Sequence, residues 1–88
     1  MSRARRAVTV RVIGLEGPLT PIKRRAAFKA AVVLHETTGR KAAQSLGVSH
    51  QHLALVIDGA RRASPALQNG IARFVGLRRS EVFPEVVP

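Results

Sequence analysis

The 88-residue sequence has no cysteine, tryptophan or tyrosine, and only three phenylalanines and five acidic residues. Without cysteine there is neither a disulfide framework nor a thiolate metal site, which agrees with a reducing cytoplasm. Without tyrosine there is no tyrosine nucleophile. No apolar run is long enough to cross a bilayer. The start, Met1-Ser2-Arg3-Ala4-Arg5-Arg6, is basic but lacks the apolar core of a signal peptide. No phosphate-binding glycine loop is present. The five acids are scattered and form no acid–base pair. Histidines stand at 35, 50 and 52, and an i, i+2 pair on a helix diverges with no third ligand spaced to help. Catalysis, a metal and a cofactor are therefore not expected.

What is abundant is positive charge. Twelve arginines and three lysines face the five acids, for a net charge of +10 and a pI near 12.0. Such a field attracts polyanions over roughly 8–10 Å at physiological salt. DNA, RNA and an anionic membrane surface all qualify on charge. The shortage of aromatics argues against stacking on RNA bases. Hydrophobic residues make up 45% of the chain, mostly Ala, Val and Leu. A small aliphatic core of this kind suits packed helices better than a sheet, and the length suits one domain.

Residues 1–19 differ from the rest. Val8-Thr9-Val10-Arg11-Val12-Ile13 is β-branched and partly alternating, which fits a short strand, before Gly14, Gly17 and Pro18 break it. The segment reads as a basic arm or a short β-strand. From Thr20 onward the pattern is helical. Thr20-Pro21 is an N-cap before a helix-starting proline. Ile22, Ala26, Ala30, Val33 and Leu34 recur at spacings of three and four and predict an inward face, with Lys23, Arg24, Arg25 and Lys29 mostly off it. This helix should run to about Glu36. A second, Gly39–Leu46, is capped by Thr38. A third, His50–Asp58, is capped by Ser49 and closed by Gly59. A fourth follows Ser64-Pro65 and ends at Gly76, with Leu67, Ile71, Phe74 and Val75 inward. A last turn spans Arg78–Phe83.

The spacing between the second and third helices is the specific signal. Two short helices joined by Gly47-Val48-Ser49 make a tight helix-turn-helix. Glycine permits the reversal, Val48 plugs the angle, Ser49 caps the next helix, and small Ala43 allows close approach. Over Ile22–Glu85 the chain resembles the Cro/repressor-type (XRE-like) helix-turn-helix proteins of phages and bacteria. The residues that carry the resemblance are Ala42-Ala43-Gln44-Ser45-Leu46-Gly47-Val48-Ser49, then Leu53, Val56, Asp58-Gly59, Arg61-Arg62, Pro65, Val75-Gly76-Leu77 and Glu81-Val82-Phe83. It implies an all-α, lambda-repressor-like bundle of about five short helices that binds operator DNA as a dimer. Residues 1–19 lie outside it, and residues 20–88 form the expected DNA-binding domain. The chain departs from the family at Gly39, where a phosphate-touching Gln is common, and at Leu55, where a polar residue is common.

The residues expected to reach base edges are His50, Gln51, Ala54 and Leu55. Gln51 can pair with adenine N6 and N7, His50 can donate to guanine or touch phosphate, and Ala54 and Leu55 can pack on a thymine methyl. Leu53 and Val56 should face the core. Phosphate contacts are expected from Arg40, Lys41, Ser49, His52, Arg61 and Arg62. Arg3, Arg5 and Arg6 suit a minor-groove arm. Asp58 is expected to order the loop after it. The expected partners are double-stranded DNA and a second copy of the chain, at least on DNA, with no small-molecule ligand and no membrane. Val8–Ile13 is the first candidate dimer contact and Val82–Val87 the second. The setting would be the cytoplasm of a bacterium or phage-infected cell. The leading function is a transcriptional regulator, most simply a Cro-like repressor. Two alternatives stay open: a phage DNA-binding factor for recombination or packaging, and an antitoxin-like protein-interaction module.

Overall fold

The computed structural model describes residues 18–86, which form an all-helical bundle. The helices are α1 (Pro21–Leu34), α2 (Gly39–Ser45), α3 (His50–Ile57), α4 (Pro65–Val75) and α5 (Arg79–Val82). No strand occurs among the described residues, and the expected arm or strand within residues 1–17 lies outside them. No described helix is long and apolar enough to cross a membrane.

Local chemistry sets each start. A helix leaves its first N–H groups without partners, and a hydroxyl at the preceding residue can accept from one of them. Thr20 accepts from the Lys23 N–H at 3.2 Å, Thr38 from Lys41 at 3.1 Å, Ser49 from His52 at 3.0 Å and Ser64 from Leu67 at 3.2 Å. Each such cap contributes about 1 kcal/mol. All four are the caps expected from the sequence, and the helix ends fall within two residues of those expected.

The turn between α2 and α3 closes by two backbone bonds. The Gly47 N–H donates to Gln44 O at 3.1 Å and the Val48 N–H to Ala43 O at 3.1 Å. This is the Schellman pattern, which needs a left-handed residue, and Gly47 supplies it with φ 78°. A side chain at Gly47 would meet open space, so the backbone angle and not crowding demands glycine there.

The core is made of Leu19, Phe28, Leu53, Val56, Ile57, Leu67, Ile71, Val75, Leu77, Val82 and Phe83, with alanines 27, 31, 42, 43 and 72 at the points of close approach. Phe28 and Phe74 lie with ring centroids 5.2 Å apart, and His35 stacks on Phe74 at 4.5 Å. His35 Nε2 lies 2.8 Å from Phe74 O. A carbonyl can only accept, so that nitrogen carries the proton.

Three expectations are corrected. The face of α1 predicted to point inward points out: Ile22 is 81% exposed and Val33 74%, while Arg24, Ala27, Phe28 and Ala31 are buried. Apolar residues occur all round this helix, so periodicity alone could not choose. Arg24 decides the matter, because it finds acceptors inside. Its Nε donates to Ile57 O at 2.8 Å and its Nη1 to Val82 O at 2.8 Å and to the Glu85 carboxylate at 3.0 Å. Its guanidinium carbon sits 4.7 Å from the centre of the Phe83 ring. Second, Leu19 belongs to the bundle and not to an N-terminal arm, being buried with its N–H on Glu81 O at 2.7 Å. Third, within the second candidate dimer contact, Val82–Val87, Val82 itself is buried in its own chain and is not available to a partner; the other candidate, Val8–Ile13, lies outside the described residues.

Arg24→Met should destabilise the fold by about 2–4 kcal/mol, because two buried carbonyls lose their donor. Glu85→Gln should cost less than about 1 kcal/mol, since the Glu85 side chain is 51% exposed. Urea denaturation of both variants checks the ranking, and an equal loss would mean that the carboxylate, not the carbonyls, gives Arg24 its value.

Candidate nucleic-acid interface

The helix α3 is apolar on one side only. Leu53, Val56 and Ile57 are buried; the opposite side carries Gln51 and Ala54 exposed and Leu55 half-buried. His50 is exposed at its first position and His52 half-buried. Of the four expected base-reading residues, Gln51 stands most directly away from the core, by the 100° step of the helix. Leu55 is partly spent on packing, and its carbonyl accepts from the Ala60 and Arg61 N–H groups at 2.9 and 3.2 Å. Ile57 adds a third core residue to the expected Leu53 and Val56.

The starts of α2 and α3 open into one cleft of about 470 Å³, lined by Thr38, Arg40, Lys41, Gln44, Val48, Ser49 and His50. Arg40, Lys41 and Ser49, all expected at phosphate, thus meet in one place. Arg40 and Lys41 are exposed, so their charges face solvent and remain available to an anion. Arg61 and Arg62 do not join them. They follow the far end of α3 and line a separate cavity of about 150 Å³ with Val56, Gly59, Phe83 and Glu85. Both are exposed. The cations therefore bracket α3, one pair at each end. Arg3, Arg5 and Arg6 lie outside the described residues.

Two contacts that the sequence did not reveal shape this surface. Asp58 reaches back to α1: its Oδ1 accepts from Arg25 Nε at 3.0 Å and also from Arg25 Nη2. The pair ties the middle of α1 to the end of α3 and offsets an acid that would otherwise repel a polyanion. Gly39 meets the His50 ring. A Cβ built at Gly39 would lie 3.0 Å from His50 Nε2, tight enough that the ring would have to give by a few tenths of an ångström. Glycine at the first position of a helix is a poor helix former, and that misfit is the sequence signal that something must approach it closely.

An apolar groove of about 480 Å³ runs on the other side of His50, between α1 and α3, with Phe28, Val32, Leu53 and Ile57 among its lining residues and Arg25, Lys29 and Asp58 at its edge. His50 and Ala54 belong to both this groove and the outward surface of α3. Among the described residues no group of three His, Asp or Glu side chains is arranged to hold a metal ion. No family model, curated protein or solved structure matches the chain.

Gly39→Ala should displace the His50 imidazole by a few tenths of an ångström with a change in stability of less than about 1 kcal/mol, the most that alanine gains over glycine inside a helix. The His50 ring-proton shifts and a thermal melt read the two effects. Unchanged ring shifts would show that His50 does not rest on Gly39.

Proposed function

We propose that this chain is a sequence-specific, double-stranded DNA-binding regulator of the Cro/repressor helix-turn-helix type, acting as a homodimer with α3 in the major groove. One observation carries the reading: α3 buries one side, presents Gln51 and Ala54 on the other with His50 exposed at its first position, and is bracketed by cations. A helix with its side chains is about 10–12 Å across, which the major groove, about 12 Å wide, admits. Arg40 and Lys41 with Ser49 then contact the backbone on one side, and Arg61 and Arg62 on the other. His52, half-buried at the edge of α3, supports the same backbone contact.

Gln51 reads sequence by a bidentate pair with adenine. His50, held against Gly39, donates to guanine or to the adjoining phosphate. Ala54 and the exposed part of Leu55 meet thymine methyls. Arg3, Arg5 and Arg6 are the candidate minor-groove arm. Regulation by occlusion of a promoter in the cytoplasm is the simplest use of such a protein.

Selection of bound duplexes from a random pool tests the reading. A winning site with two-fold symmetry is expected, with half-sites about 34 Å apart. Recovery of no preferred sequence by the folded protein would remove it. Gln51→Ala should cost about 1–3 kcal/mol on the selected site and relax one base position, with little change on random DNA. Replacing Arg61 and Arg62 by Ala should weaken every duplex and flatten the salt dependence by about one unit for each phosphate no longer neutralised. A slope identical to that of the parent protein would take both arginines out of the phosphate set.

A further inference from the structure

Nothing in the fold requires glycine at position 39. It is the first residue of α2, and the positive φ angles among the described glycines belong to Gly47, Gly59 and Gly76. Thr38 caps α2 through the Lys41 N–H, a bond that any residue at 39 permits. Glycine is also among the poorest helix formers. What its missing side chain leaves is room for one neighbour. Around a Cβ built at position 39 the three nearest atoms all belong to the His50 ring: Nε2 at 3.0 Å, Cδ2 at 3.5 Å and Cε1 at 4.0 Å. Other glycines differ. Gly47 opens on free space, Gly59 lies against Arg24 and Pro21, and Gly70 against Leu46. Among these four, Gly39 alone abuts a residue of the candidate DNA surface.

The contact bears on the polar tip of the ring. Nε2 is one of the two imidazole nitrogens that can bond a base, and it is the atom that a side chain at 39 would reach first. His50 is exposed, so the resting place of its ring contributes little to the core. It does fix where a hydrogen bond can be made. The ring has open space on both flanks: the cleft beside Arg40 and Lys41, and the apolar groove beside Leu53 and Ala54. It can therefore yield to a β-carbon by swinging, and the backbone of α2 need not move. A shift of a few tenths of an ångström is small for packing but not for a hydrogen bond, which weakens as it lengthens and bends. Base discrimination depends on that geometry, whereas the attraction of cations for phosphate does not.

We propose that position 39 sets the base preference of His50. Gly39 is a positioning residue that touches no base and determines specificity by where it lets the imidazole stand. The inference rests on the DNA-binding reading and deepens it, since it extends the specificity of α3 to a residue on the helix before it.

Full-length parent, Gly39→Ala, Gly39→Val, His50→Ala and the double variant Gly39→Ala/His50→Ala test it. Duplexes selected by the parent supply the site. Dissociation constants are then measured on that site, on its single-base variants and on random duplex. His50→Ala should flatten the preference at one base position. Gly39→Ala should reduce the preference at that same position by about three- to tenfold, and Gly39→Val by more, because its methyls reach further over the ring. Preferences elsewhere, affinity for random duplex and the salt slope should not change, which separates positioning from a general loss of fold or charge. In the His50→Ala background Gly39→Ala should have no further effect, as must hold for a residue that acts only through His50. An effect of equal size in that background, an effect at a different base position, or an unchanged profile in both Gly39 variants overturns the proposal. So does a His50→Ala protein that keeps the parent's preferences. Each of these leaves the DNA reading standing, because the parent still selects a site. A folded parent with no preferred duplex removes the DNA reading itself, and this inference with it.

Discussion

A single buried cation organises this bundle. The Arg24 guanidinium joins the last turn of α3, through Ile57 O, to the end of α5, through Val82 O, and extends to Glu85 with Phe83 alongside. Burying a charge is expensive unless its donors find acceptors. Here both carbonyls lie at helix ends, where the helix dipole is negative and the carbonyls lack intrahelical partners. The need is mutual: the helix ends require donors and the guanidinium requires acceptors. Nη2 has no hydrogen-bond partner among the described residues, so the match is close without being complete.

The orientation of α1 follows from that contact. With Arg24 inward, the helix turns Ala27, Phe28 and Ala31 to the core and sends Ile22 and Val33 outward. Arg25 then lies where it can reach Asp58, which steadies the end of α3 a second time. Two arginines adjacent in sequence thus hold the same helix end from inside and from outside. The apolar groove and the exposed Ile22 and Val33 are consequences of the same rotation. A helix that placed Ile22 and Val33 in the core would have left Arg24 in solvent and α3 without either tie.

At the candidate interface the polar and apolar surfaces meet at His50. Its ring borders the cation-lined cleft on one side and the apolar groove on the other, and it rests close against Gly39, where a β-carbon would crowd it. Gln51 lacks such support and stands free in solvent. A residue held in place suits a contact of defined geometry; a free one can adapt to its ligand but loses rotamer entropy on doing so.

Hydroxyl caps, helix-starting prolines and the left-handed Gly47 act through residues one to four places away. The helix boundaries and the tight α2–α3 turn were therefore determined by the sequence alone, and with them the residues exposed on α3. The rotation of α1, the burial of Arg24 and Gln68, the Arg25–Asp58 tie and the Gly39–His50 contact were decided by tertiary structure. In most of these a polar side chain meets a partner distant in the chain: Arg24 bonds to residues 33 and 58 positions away. Gln68 is the local exception, burying its amide by donating to Ala63 O at 2.9 Å. Hydrophobic periodicity counts apolar residues and assigns long cations to solvent. It holds no information about a distant carbonyl that makes the interior the better place for one.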